Sequence, residues 1–171
     1  MAFYITLAVC ALFVLLLAVT FTQTYNQLVK LKNQCDNSFA QIEVQLRRRY
    51  DLIPNLVECV KGYMSHERET LEAVIAARNQ ASAGLAQAAK DPSNAQALQA
   101  LAGNENALTG ALGRLSFVME DYPDLQANEN VSQLTEELSH TENRISFARQ
   151  AYNDLATAFN TYRQTFFWWG S

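Results

Sequence analysis

Apolar residues form one unbroken run at the start of the chain and then recur every three or four residues for most of its length. The first run, from Met1 to Thr22, has no charged side chain and is long enough to span about 30 Å of hydrocarbon. The later spacing places apolar side chains on one face of an α-helix. The pattern predicts a transmembrane anchor at residues 1–23 and an all-α domain at residues 24–171.

The first amphipathic helix is predicted from Tyr25 to Tyr50, continuous with the anchor. Its apolar stripe consists of Leu28, Leu31, Cys35, Phe39, Ile42 and Leu46. Pro54 cannot donate a hydrogen bond inside a helix and disfavours helical angles at the residue before it. We therefore predict a break or sharp kink at residues 51–54 and a second helix from Pro54 to about Ala89.

Two further helices are predicted from heptad patterns. A turn at residues 91–94 precedes the third helix, residues 121–124 end it, and the fourth begins near Asn130. The third helix carries the rows Leu101, Leu108, Leu115 and Tyr122, and Leu98, Glu105, Leu112 and Met119. The fourth carries Val131, Leu138, Ile145, Tyr152, Phe159 and Phe166, and Leu134, Thr141, Ala148, Leu155, Tyr162 and Trp169. Sustained heptads are typical of coiled-coil-like packing.

Four long helices joined by short turns predict that the anchor continues into an antiparallel up-down four-helix bundle. The alternative is three long helices, in which Pro54 only kinks a very long first helix. The direction of the helix on either side of Pro54 separates the two arrangements.

Several motifs of this chain form a recognisable set. They are Tyr25-Asn26, Leu31-Lys32-Asn33, Gln41-Ile42-Glu43-Val44-Gln45-Leu46, Asp51-Leu52-Ile53-Pro54-Asn55-Leu56-Val57-Glu58, Val60-Lys61-Gly62-Tyr63, Ala77-Arg78 and Glu142-Asn143-Arg144-Ile145. Together they resemble the LemA family of bacterial membrane proteins. The resemblance implies a single anchor, an all-helical bundle and no established catalytic residues. It also implies, as a partner, a membrane-bound zinc metalloprotease of the heat-shock type.

The charge pattern bears on location and partners. Lys30 and Lys32 follow the anchor, whereas no Lys or Arg precedes it, so we expect the bundle in the bacterial cytoplasm and the N-terminus outside the inner membrane. The anchor should stay attached, because a cleavable signal begins with basic residues. With 13 basic and 17 acidic residues the net charge is −4, which disfavours nucleic acid as a partner.

Catalytic and metal-binding motifs are incomplete. His66 and Glu67 begin like a zinc-protease helix, but Thr70 stands where the second histidine is required. Glu137 and His140 make one Glu-x-x-His pair, whereas a di-iron bundle needs two. We expect no metal, no cofactor and no enzymatic activity.

Polar residues at predicted core heights form a first candidate site. Counting about 1.5 Å of rise per residue places Asp36, Glu67, Glu105 and Thr141 near mid-height. They are interpreted either as a hydrated layer that fixes helix register, or as a site for a proton, cation or small molecule.

Two further candidates lie at helix ends. Arg47, Arg48 and Arg49 are interpreted as a solvated helix end, or as a patch for an acidic partner. The cluster Phe166, Phe167, Trp168 and Trp169 suits a membrane interface if an even number of helices returns the chain to the bilayer, and a partner-binding patch otherwise.

The function favoured by these patterns is a non-enzymatic, membrane-anchored scaffold or adaptor that self-associates. Self-association is suggested by the regular heptads and by an alanine stripe on the second helix at Ala73, Ala77, Ala81 and Ala88. The alternative is a bundle that binds an ion or small molecule in its polar layer.

Overall fold

The computed structural model describes the backbone of residues 1–168, with the side chains of Met1 and of residues 3–165. Within that part of the chain there are five helices and no strand. They are α1 (Ala2–Lys61), α2 (Arg68–Ala88), α3 (Ala95–Met119), α4 (Pro123–Gln126) and α5 (Glu129–Trp168). The all-α fold class and the continuity of the anchor with the first helix are confirmed, while the bundle arrangement stays a prediction.

The chain divides into two compact units. The core unit comprises residues 39–150, and the anchor unit comprises residues 1–38 together with the C-terminal stretch that begins at Ala151. Helices α1 and α5 each contribute residues to both units.

Four long helices supply most of the interior of the core unit, and Leu125 of the short helix α4 is also fully buried. Its buried apolar residues include Phe39, Ile42, Leu46, Ile53, Leu56 and Val60 of α1, Leu71, Val74 and Leu85 of α2, Leu101, Leu108 and Leu115 of α3, and Val131 and Ile145 of α5. The steps of three and four residues on α1 keep one face inward. Each large side chain that is fully removed from water contributes about 1.5–3 kcal/mol.

Small residues allow α2 and α3 to approach closely. A Cβ atom at Gly84 would lie 2.6 Å from Nδ2 of Asn104, and that amide nitrogen donates a hydrogen bond of 3.2 Å to the carbonyl oxygen of Gln80. Ala81 is fully buried on the same helix. This packing corrects one interpretation, because Ala77, Ala81 and Ala88 face the interior of the chain and are not a free surface for a second copy.

The predicted helix break at residues 51–54 is wrong, since α1 runs through Pro54 to Lys61. Proline removes the hydrogen bond that residue 54 would donate to the carbonyl oxygen four residues earlier, which belongs to Tyr50. That oxygen instead accepts a hydrogen bond of 2.9 Å from Nε of Arg78 on α2. An arginine side chain from a neighbouring helix therefore satisfies the acceptor that proline leaves free.

The turn between α1 and α2 consequently lies at residues 62–67. Met64 is fully buried beneath it, and the hydroxyl of Tyr63 accepts a hydrogen bond of 3.1 Å from Nδ2 of Asn128, which precedes α5. The second helix is thus shorter than predicted, because it begins at Arg68 and not at Pro54.

Side-chain caps begin the next two long helices. Oδ1 of Asn94 accepts from the backbone N–H groups of Gln96 and Ala97 and so caps α3, at the end of the turn predicted for residues 91–94. Oδ1 of Asn128 does the same for Asn130 and Val131 at the start of α5. Both boundaries therefore follow from local sequence.

The anchor unit contains the apolar N-terminal part of α1. Among the described residues, α1 is the one helix that is long and apolar enough to cross a membrane. Its large apolar side chains from Phe3 to Phe21 are exposed, whereas Leu28 and Leu31 further along are half-buried. On α5, the predicted heptad positions Tyr152, Leu155, Phe159 and Tyr162 are half-buried.

Candidate functional site

Four polar side chains form a largely buried cluster in the core unit, which we call the polar cluster: Arg49 and Tyr50 of α1, and Glu105 and Thr109 of α3. Nη1 of Arg49 donates to Oε2 of Glu105 at 3.1 Å, and Nη2 donates to Oγ1 of Thr109 at 3.0 Å. The hydroxyl of Tyr50 donates to the other carboxylate oxygen of Glu105 at 2.5 Å. The cluster therefore joins α1 to α3 through three side-chain hydrogen bonds.

Helical spacing explains why these residues meet. Arg49 and Tyr50 follow Leu46 by three and four residues and precede Ile53 by four and three, so both lie on the inner face of α1. Glu105 lies four residues after the buried Leu101 on α3. Arg49 is 4% exposed and Glu105 is 5% exposed, so both charges are removed from solvent.

Burial on this scale requires the charges to be paired. An isolated buried charge is costly, but each carboxylate oxygen of Glu105 accepts a hydrogen bond, one of them from a cation. Burial, and then the hydrogen bond to Glu105, raise the pKa of Tyr50 well above its usual range. Tyr50 therefore stays neutral and continues to donate throughout the physiological pH range.

Tyr50 also connects to α2 through its backbone. Its carbonyl oxygen accepts from Arg78, whose Nη2 lies 4.0 Å from Oδ1 of Asp51. Side chains of α2 and α3 thus bind the same turn of α1. The arrangement fixes how three helices meet, which is a structural property and not in itself a reaction.

The four members of the predicted polar layer have different local surroundings. Glu105 and Thr141 are buried, and the hydroxyl of Thr141 donates to the carbonyl oxygen of Glu137 in its own helix. Glu67 lies immediately before α2 and not within a helix. The height count placed it wrongly, because it assumed a helix that began at Pro54. Asp36 is exposed and belongs to the anchor unit. The count was therefore wrong for Glu67.

The three consecutive arginines have different surroundings. Arg47 forms an exposed ion pair of 2.7 Å with Glu43, and Arg48 lies 3.5 Å from Glu137 of α5, also at the surface. Arg49 belongs to the polar cluster and is not available at the surface. A patch for an acidic partner is thus reduced to Arg47 and Arg48, both of which already have acidic neighbours.

The predicted membrane-interface cluster lies at the C-terminal end of the described residues. Trp169 lies outside the described residues, and so do the side chains of Phe166, Phe167 and Trp168. Within the described part of the chain, no group of three or more His, Cys, Asp or Glu side chains could hold a metal ion.

The sequence interpretation missed Arg49, Tyr50, Thr109 and Arg78 as a connected set. A signal for the first two was available, because the stripe that ends at Leu46 continues through their positions to Ile53. Thr109 is exposed overall, and no pattern on α3 distinguishes it. The pairing of Arg78 with Tyr50 depends on tertiary approach.

Comparisons with known proteins cover most of the chain. The model of the LemA family matches residues 38–168. A relative in Metamycoplasma hominis, Protein LemA, is 28% identical over 141 residues, which cover 82% of this chain and 60% of the relative.

Two magnetosome proteins are also similar. MamQ 2 of Paramagnetospirillum magneticum is 26% identical over 156 residues, covering 82% of this chain and 57% of that protein. MamQ of Magnetospirillum gryphiswaldense is 25% identical over 169 residues, covering 90% of this chain and 62% of that protein. This chain therefore spans about three-fifths of the length of these curated relatives.

Proposed function

The chain belongs to the LemA family, and from that premise we propose that it acts without catalysis, as a membrane-anchored helical scaffold or adaptor that self-associates at the membrane. The observation that carries the proposal is α1 itself. One uninterrupted helix contains an exposed apolar run and, further along, the inner-face residues of the core unit. Family membership and this helix together indicate a membrane-associated helical protein.

Orientation belongs to the proposal. We place the core unit in the cytoplasm and the N-terminus outside the bacterial inner membrane. Lys30 and Lys32 support this, because basic residues that flank an anchor are retained on the cytoplasmic side.

Self-association is supported by apolar side chains that the described chain leaves exposed. Three apolar side chains point away from the interior of the core unit: Val44, Phe117 and Phe147 are 61%, 70% and 73% exposed. Anchoring in one plane also raises the local concentration of the chains, which favours weak contacts between copies. The partner within this proposal is the one implied by the resemblance, a membrane zinc metalloprotease of the heat-shock type.

A second candidate function is binding of an ion or small molecule at the polar cluster. Its support is the burial of Glu105 and Arg49 within one cluster. It is the weaker candidate, because both carboxylate oxygens of Glu105 already accept hydrogen bonds from the chain. Those bonds favour a structural role for the cluster.

Mass measurement in a native-like membrane tests the scaffold proposal. The full chain is extracted in nanodiscs or mild detergent, and its mass is followed across a range of protein concentrations. We expect dimers or larger species that dissociate on dilution, and we expect the chain to stay with the membrane after a high-salt wash. A monomer at every concentration contradicts self-association, and release by salt contradicts the anchor.

A further inference from the structure

A groove runs between α3 and α5 in the core unit. It consists of two adjoining cavities of about 250 and 440 Å³, which share Ser116, Met119, Thr135 and Ser139 as lining residues. The lining extends over residues 109–120 at α3 and 131–142 at α5, which is about 17 Å at 1.5 Å of rise per residue. We call this feature the α3/α5 groove, and its length corresponds to about three turns of a helix.

The α3/α5 groove has an apolar floor, with small residues on both of its sides. Leu56, Leu115 and Val131 in its lining are almost fully buried. Gly113 lies on the α3 wall, and a Cβ atom added there would have no other atom within 4 Å. Ser139 lies on the α5 wall. An apolar floor with small residues beside it leaves room for the apolar side of an incoming helix.

The rim of the α3/α5 groove is acidic. Glu120, Glu136 and Glu142 line it, and neither Glu120 nor Glu142 has an ion pair among the described residues. Among the described residues that line the groove, the single basic one is Arg49, which is 4% exposed and already bound to Glu105. Uncompensated carboxylates beside an apolar floor favour an occupant that is apolar on one side and cationic on the other.

We propose that the α3/α5 groove binds a basic amphipathic helix of a partner polypeptide. Its apolar side packs on the floor, and its Lys or Arg side chains meet Glu120, Glu136 and Glu142. The inference deepens the proposed function and rests on it, since it names the class of partner that the adaptor holds. A second copy fits less well, because this chain carries a net charge of −4.

Binding of designed peptides to the full chain tests the proposal. The chain is placed in phosphatidylcholine nanodiscs, and the probe is a fluorescent 18-residue helical peptide of Leu, Ala and Lys with all lysines on one side. A peptide with Glu at every Lys position is the comparison, and empty nanodiscs report binding to lipid. We expect saturable binding of the Lys peptide by fluorescence anisotropy, at least tenfold tighter than that of the Glu peptide.

Two glycines of α3 provide matched variants. Gly113→Leu fills the groove and should weaken binding of the Lys peptide tenfold or more. Gly103→Leu adds the same side chain to the same helix, also into open space, but at a residue that lines neither cavity, so the Kd should stay within twofold. Both changes favour the helix, so neither should unfold the chain.

Rim charges provide a second, independent variant. Glu120→Gln with Glu142→Gln should weaken binding about three- to tenfold and flatten its salt dependence, since exposed pairs contribute modestly. Glu69→Gln with Asp154→Asn removes the same charge from exposed positions outside the groove and should leave binding unchanged.

Two results would overturn the proposal. One is the absence of saturable binding of the Lys peptide, and the other is binding that Gly113→Leu leaves unchanged. If Gly113→Leu instead lowers the oligomeric mass while the Lys peptide does not bind, the occupant is a second copy. Membrane retention and mass are measured on the same preparation, so failure of the groove is distinguished from failure of the scaffold proposal.

Discussion

Arg49 of α1 and Glu105 of α3 form a buried ion pair, with Nη1 of the arginine 3.1 Å from Oε2 of the glutamate. Their side chains are only 5% and 6% exposed, so both charges were desolvated on folding. Desolvation can exceed the attraction within a buried pair, whereas removal of one partner leaves an unpaired charge inside the protein. The pair is therefore expected to enforce one register of α1 against α3 more than to add net stability.

Single and double replacements of the pair test this expectation. Glu105→Leu should lower the free energy of unfolding by about 3–5 kcal/mol, because it leaves Arg49 charged and buried. Arg49→Met should lower it by a similar amount, because it leaves Glu105 charged and buried. The double variant should recover at least about 2 kcal/mol of the summed loss, measured by urea unfolding of the full chain in mild detergent with circular dichroism.

Arg47→Met with Glu43→Leu is the matched control, since this ion pair lies on the same helix but at the surface. Each of these two replacements should lower the free energy of unfolding by less than about 1 kcal/mol. Additive losses at Arg49 and Glu105, within about 0.5 kcal/mol, would argue against coupling in the buried pair.

The raised pKa of Tyr50 predicts that the stability of the fold depends on pH in the alkaline range. Its pKa is raised in the folded chain by burial and by the hydrogen bond to Glu105, so folding favours the protonated hydroxyl. The stability from this group is fully present below the ordinary tyrosine pKa of about 10 and is lost as pH rises above it toward the folded value. We expect the stability of the wild-type chain to fall by about 1 kcal/mol relative to Tyr50→Phe between about pH 9 and pH 11.

Tyr50→Phe isolates this effect, because all other tyrosines titrate equally in the two proteins. At pH 7 the variant should be less stable than wild type by about 1–3 kcal/mol, since one oxygen of Glu105 loses its donor. A stability difference that stays constant across this alkaline range would show that the Tyr50 hydroxyl does not titrate with folding.

Local sequence was sufficient for much of the fold, and the reasons are visible at particular residues. Asn94 and its turn are fixed by hydrogen bonds within three residues, and the inner face of α1 follows from helical spacing. At Pro54 the local rule failed, because Arg78, a residue of the next helix, supplies the missing donor. The same error placed Glu67 in the predicted polar layer, since the heights of residues after Pro54 were counted along a helix that begins at Arg68 and not at Pro54.

Accessibility of Ser93 tests the proposed orientation. Ser93 is exposed in the turn before α3. Ser93→Cys, in a chain whose Cys10, Cys35 and Cys59 are replaced by serine, should resist a membrane-impermeant thiol reagent in intact cells and react after the cells are opened. Phe3→Cys in the same background should react in intact cells. Rapid labelling at residue 93 in intact cells would place the core unit outside.

The hydrogen bond from Arg78 to the carbonyl oxygen of Tyr50 predicts a dependence on Pro54. In the wild-type chain, Arg78→Leu leaves that oxygen without a donor and should cost about 1–3 kcal/mol. In Pro54→Ala, the new backbone N–H can donate to the same oxygen, so Arg78→Leu should cost at least about 1 kcal/mol less. The comparison is made by urea unfolding of the full chain in mild detergent, and Pro54→Ala alone should be stabilising because proline is unfavourable inside a helix.

Arg68→Leu is the control for that cycle, since Arg68 makes an exposed ion pair with Glu72 on the same helix and lies away from Tyr50 along α2. Arg68→Leu should lower the free energy of unfolding by the same small amount in the wild-type and Pro54→Ala backgrounds. Equal costs for Arg78→Leu in both backgrounds would mean that Arg78 acts through its neighbour Asp51 or through packing. In that case another explanation would be required for the passage of α1 through Pro54 without a break.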